Sequence, residues 1–99
     1  MRSIEQIKKK LEELKPVLKK QFKVKSIGIF GSYVRGEEGK GSDLDILVDF
    51  EEKANLSLLD FIRLENYLSE RLGVKVDLVE REALKPRIGK HILGELIEI

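Results

Sequence analysis

The run "LDILVDF" from Leu44 to Phe50, entered through Ser42-Asp43, limits the fold of this chain more than any other stretch. Side chains alternate across a strand, so Leu44, Ile46, Val48 and Phe50 share one face while Asp43, Asp45 and Asp49 share the other. The apolar face must be buried against other elements. The opposite face then carries two carboxylates side by side at the entrance to the core. Two further runs read as strands. "VKSIGIF" spans Val24 to Phe30, and "VKVDLVE" places Val74, Val76 and Leu78 on one face and Lys75, Asp77 and Val79 on the other.

Amphipathic segments separate these strands. Ser3 with Gln6 forms a capping-box pattern, followed by Ile4, Ile7, Leu11 and Leu14 at helical spacing. Pro16 is expected to end this helix or to open a short second one reaching about Phe22. Residues 31–42 hold Gly31, Gly36, Gly39 and Gly41 and read as a loop, with a short helix near Ser32–Arg35. Ser57 and Asp60 mark another helix start; Leu58, Phe61, Ile62, Leu68 and Leu72 give its apolar stripe and Gly73 its C-cap. The tail from Arg81 to Ile99 reads as mostly helical and opened by Pro86. The expected order is α, (α), β, β, α, β, α, a small α/β sheet with helices packed on it.

With 99 residues the chain suits one domain. Residues 1–25 carry nine Lys/Arg against three Asp/Glu, and residues 43–82 carry eleven Asp/Glu against five Lys/Arg. The basic start reads as a solvated helix face rather than a nucleic-acid patch, and Glu37, Glu38 and Lys40 as solvated loop charges. The acidic half leaves a cation site open. Absence of cysteine excludes disulfides, thiolate metal sites and a thiol nucleophile, and it accords with a reducing cytoplasm. No apolar run reaches membrane-span length, and the charged N-terminus speaks against a signal peptide.

Asp43 and Asp45 project from one face and repel each other, and in a dry site one of them would tend to protonate. A divalent cation removes that conflict, and oxygen ligands suit Mg²⁺ or Mn²⁺. Gly31-Ser32 ends the preceding strand, where glycine lets backbone N–H groups approach a phosphate and the hydroxyl adds a donor. Asp77 in the third strand could complete a site for two metals, which clamp the attacking and leaving oxygens of a phosphoryl displacement. Asp77 is also the candidate to help deprotonate the attacking hydroxyl.

"FGSYVRGEEGKGSDLDILV" resembles the Gly-Ser…Asp-x-Asp pattern of the DNA polymerase β-like nucleotidyltransferase superfamily, and most closely its minimal nucleotidyltransferase (MNT) branch. The matching positions are Gly31, Ser32, Arg35, Gly36, Ser42, Asp43 and Asp45, with Asp77 as third carboxylate. The resemblance implies a polymerase β-like fold over residues 1–99, a small mixed sheet flanked by helices. It implies Asp43, Asp45 and Asp77 as catalytic and Mg²⁺-binding residues, two ions, and ATP held through Gly31, Ser32, Arg35 and Ser42. It also implies a HEPN-domain toxin as partner, neutralised by transfer of AMP to a tyrosine. Two other functions stay open: an antitoxin that acts by occlusion alone, and an antibiotic-type small-molecule nucleotidyltransferase. The apolar helix stripes on so small a domain also leave room for a homo- or hetero-oligomer.

Overall fold

The computed structural model describes residues 3–37, 39 and 41–99. Glu38 and Lys40, expected to be solvated loop charges, lie outside the described residues. The elements are α1 (Ile4–Phe22), β1 (Val24–Phe30), α2 (Ser32–Arg35), β2 (Leu44–Phe50), α3 (Leu58–Leu72), β3 (Val76–Glu80), a 3₁₀ turn (Arg81–Ala83), α4 (Pro86–Glu95) and β4 (Ile97–Glu98). The sheet order is β3-β2-β1-β4. β1 runs antiparallel to β2 and to β4, whereas β2 and β3 are parallel.

Each face of the sheet has its own core. On one, Ile27 and Ile29 of β1, Leu44, Ile46 and Val48 of β2, and Val76 and Leu78 of β3 meet the buried stripes of α1 and α3. On the other, Phe30, Leu47 and Ile92 pack together with Val79, Leu84 and Leu96. The apolar face expected of β2 is therefore the major core, and its acidic face is half covered by α4.

Four expectations need correction. Pro16 does not end the first helix, which continues unbroken to Phe22. The proline removes one backbone donor, but Pro16 and Glu12, whose carbonyl loses its bond, are both exposed, so water replaces that bond. Leu14 and Leu18 are buried on either side and anchor both halves. In α3 the buried stripe is Leu64, Leu68 and Leu72, while Leu58 and Ile62 are 73% and 41% exposed. The third strand begins at Val76, two residues later than its apolar pattern. The tail is mostly helical, as expected, but the expected order lacks a last strand: the chain turns back at Leu96 to add β4 to the free edge of β1.

Both long helices carry a capping box, at Ser3–Gln6 and Ser57–Asp60. The Ser57 N–H, then the Ser57 hydroxyl, hold the Asp60 carboxyl below its ordinary value of 3.8. A depressed folded-state pKa stabilises at neutral pH, and that contribution is lost as the pH falls through the lowered value. Melting curves of Asp60→Ala should therefore converge on those of the unaltered protein as the medium is acidified; a gap that stays constant with pH would contradict the capping role.

Candidate active site

Topology alone gathers the expected residues at one end of the sheet. β1 is antiparallel to β2, so the end of β1 lies beside the start of β2, with Phe30 opposite Asp45. β2 is parallel to β3, so their starts also coincide, and Asp45 pairs with Asp77 in register. In-register residues of neighbouring strands face the same way about 4.8 Å apart at the backbone. Asp43 stands one residue before β2, half-buried like Asp45, and Asp77 is exposed. Asp49 shares their face but lies at the far end of β2, opposite Ser26.

Electrostatics reports the same convergence. Burial first, then the Asp77 and Asp43 carboxylates, push the Asp45 pKa above the usual carboxylate range, with only Arg35 opposing them. These are oxygen donors on rigid strand ends whose mutual repulsion Arg35 only partly offsets, and that chemistry fits a hard divalent cation. Among the described residues no three acidic or imidazole groups converge tightly enough to cage a metal as they stand. Repelling carboxylates are expected to stay apart until a cation joins them.

Gly31 brings the turn against these acids. Its φ of 82° and ψ of −153° lie in a region essentially reserved for glycine. A Cβ built there would collide with Asp45 Oδ2, so the missing side chain is the space the carboxylate uses. Ser32 opens α2, and its neighbour Tyr33 is buried in the major core, which fixes the turn. The Ser42 hydroxyl accepts from the Gly39 N–H at 2.9 Å and closes the loop before β2. A hydroxyl that accepts still has a proton to donate. A pocket of about 430 Å³ opens beside Asp43, walled by Tyr33, Gly39, Ser42, Val74 and Lys75.

These residues fall within a match to the nucleotidyltransferase domain family that spans residues 5–99. The chain belongs to that family. The nucleotidyltransferase is 50% identical to the protein adenylyltransferase MntA of Thermococcus cleftensis, over 100% of this chain and 98% of that one. A solved structure provisionally described as a minimal nucleotidyltransferase superposes with a TM-score of 0.83 at 36% identity, covering 99% of this chain and 97% of that chain. A toxin–antitoxin complex with AMP-PNP gives 0.68 at 26% identity, covering 95% and 69%. The fold is also shared, at 0.65 and 22% identity over 94% and 70%, with a complex of tri-AMPylated Shewanella oneidensis HEPN toxin and MNT antitoxin. This chain is thus a minimal nucleotidyltransferase with the expected mixed sheet.

Two residues of the nucleotidyltransferase site behave in ways the sequence does not announce. Arg35, expected to face a triphosphate, directs Nη1 to Glu95 and Nε to Glu37, the latter at 3.4 Å. Glu95 itself escapes sequence reading. It lies near the end of a tail that reads as helix, and only the register of β4 brings it to the site. The alternation of Ile97 and Ile99 with Glu98 is the one local signal of that strand.

Proposed function

We propose that this minimal nucleotidyltransferase transfers AMP from ATP to a hydroxyl of a partner protein and acts as the antitoxin of a HEPN-domain toxin in the cytoplasm. The carrying observation is the register that pairs Asp45 with Asp77 at the sheet end where Gly31 meets Asp45. Asp43, Asp45 and Asp77 would hold Mg²⁺, which would supply the counter-charge for the carboxylates and the triphosphate. Gly31, Ser32 and Ser42 line the path of the triphosphate, with Arg35 at its border. The pocket beside Asp43 has the size of a nucleoside site.

The acceptor oxygen attacks the α-phosphorus, the bond to the β-phosphate breaks, and pyrophosphate leaves. Asp77 takes the acceptor's proton, a role its exposure, greater than that of Asp43 and Asp45, supports. Support for a protein acceptor comes from the MntA relative and from the AMPylated toxin bound to a protein of this fold. Leu58, Leu59 and Ile62, which are 73%, 68% and 41% exposed on one helix end, give a partner apolar surface to grip.

The test uses α-labelled ATP, Mg²⁺ and the protein encoded beside this one. Label should move to that partner and be lost with Asp43→Asn. Tight binding without transfer, indifferent to that substitution, would replace the transferase reading by neutralisation through occlusion.

A further inference from the structure

Glu95 takes no part in the chemistry proposed above, yet its carboxylate meets the turn on which that chemistry depends. We propose that Glu95 is a positioning residue which, with Arg35, clamps the Gly31–Ser32 turn in the shape that receives Asp45. The inference rests on the transferase reading for its consequence, but not for its geometry.

Three hydrogen bonds define the clamp. Glu95 Oε1 accepts from the Gly31 N–H at 3.0 Å and from Arg35 Nη1 at 3.0 Å, and Oε2 accepts from Arg35 Nη1 at 2.9 Å. The clamp is built into the sheet. β4 pairs Gly28 with Glu98 and Ile29 with Ile97, and continuing that register by two residues sets Glu95 opposite Gly31. The approach depends on Gly28, where a Cβ would lie 2.7 Å from Leu96 Cδ1 and 3.0 Å from the Ile97 carbonyl oxygen. Ile92 and Leu96, on either side of Glu95, pack against Phe30 and Leu47, so the carboxylate is mounted from both directions. Only 17% of its side chain is exposed.

The charge balance agrees with this geometry. Burial works to raise the Glu95 pKa, but the Arg35 and Gly31 hydrogen bonds outweigh it and keep the group ionised. A fourth negative charge near Asp43, Asp45 and Asp77 is unfavourable, and it adds to the forces that raise Asp45. The fold accepts that repulsion for the hold on Gly31, whose backbone occupies a region that costs energy to maintain. Charge-assisted bonds of this kind are about twice as strong as neutral ones. Burial of Tyr33 anchors the start of α2 from the core side, and α2 has no side-chain cap, so Glu95 is what holds the Gly31 N–H.

The test uses the full chain labelled with ¹⁵N-glycine, which reports on eight glycine amides. In the nucleotide-free protein the Gly31 amide should exchange slowly, and Glu95→Ala should accelerate its exchange at least about tenfold, as loss of one protecting bond allows. Saturation of the unaltered protein with Mg²⁺ and a non-hydrolysable ATP analogue should leave Gly31 protected. Glu95→Ala should lower kcat for AMP transfer about 10–100-fold, the range seen for supporting partners, while KM for the protein acceptor stays put. Glu95→Gln, which keeps the acceptor oxygen, should recover most of that loss. Should Glu95→Ala not fold, Arg35→Ala must show the same loosening of Gly31 and the same fall in kcat.

Unchanged Gly31 exchange in both variants, or undiminished transfer, overturns the clamp. So does loss of Gly31 protection when the analogue binds, because Glu95 would then be a displaced gate. If the unaltered protein transfers no label at all, the transferase reading falls, and the amide still decides whether Glu95 holds the turn.

Discussion

Asp45→Asn is expected to abolish AMP transfer while leaving the protein at least as stable as before. The two effects have one cause. Burial and two neighbouring carboxylates raise the Asp45 pKa, so the folded state resists ionisation of this group. A raised folded-state pKa favours the fold at low pH, and that advantage is lost as the pH rises through the raised value. At neutral pH the ionised carboxylate is therefore a burden on the metal-free fold, and the neutral amide removes it. The same substitution removes a charge from the only place where Asp43, Asp45 and Asp77 meet. A fall in kcat of at least about 10³-fold is expected, the scale on which loss of charge stabilisation acts in transfer reactions. Label transfer and thermal melting, measured on the same preparation at pH 7, check both signs. A variant that loses both activity and stability would show Asp45 to be a structural residue.

Gly31→Ala should fail in the opposite manner, through the backbone. The positive φ with extended ψ is costly for any residue with a Cβ, and the new methyl would press on Asp45 Oδ2. Relief requires the turn to flip or Asp45 to withdraw, and either breaks the Glu95 clamp at the Gly31 N–H. A loss of about 3 kcal/mol in stability is expected from strain of this type. Transfer activity should fall below detection in the fraction that remains folded. Denaturant titration and the label assay check this. A folded, active Gly31→Ala protein would mean that the turn can rearrange without consequence.

What could be read from the chain follows its local physics. β1, α2 and β2 emerge with their bounds because alternation and glycine placement act over a few residues. The capping boxes at Ser3 and Ser57 are equally local. Asp43 and Asp45 stand out because nothing apolar explains like charges at the mouth of a core strand, and strand phase puts Asp77 on the right face. Failures came where the decision was tertiary. Pro16 is tolerated because packing of Leu14 and Leu18 outweighs one lost backbone bond. Leu47 breaks the acidic face of β2 because α4 covers that patch, and no periodicity in β2 shows which helix will arrive. β4 is two residues long and exists only because β1 offers a free edge, so Glu95 and the true surroundings of Arg35 stayed hidden with it.

Calorimetric titration of Mn²⁺ with a non-hydrolysable ATP analogue, into the unaltered protein and into Asp77→Asn, asks whether acids from β2 and β3 jointly hold a cation beside the Gly31 turn. Saturable uptake by the first and at least about tenfold weaker uptake by the second is the expected result. Equal uptake by both proteins, or none by either, would mean that these carboxylates do not form a shared metal site.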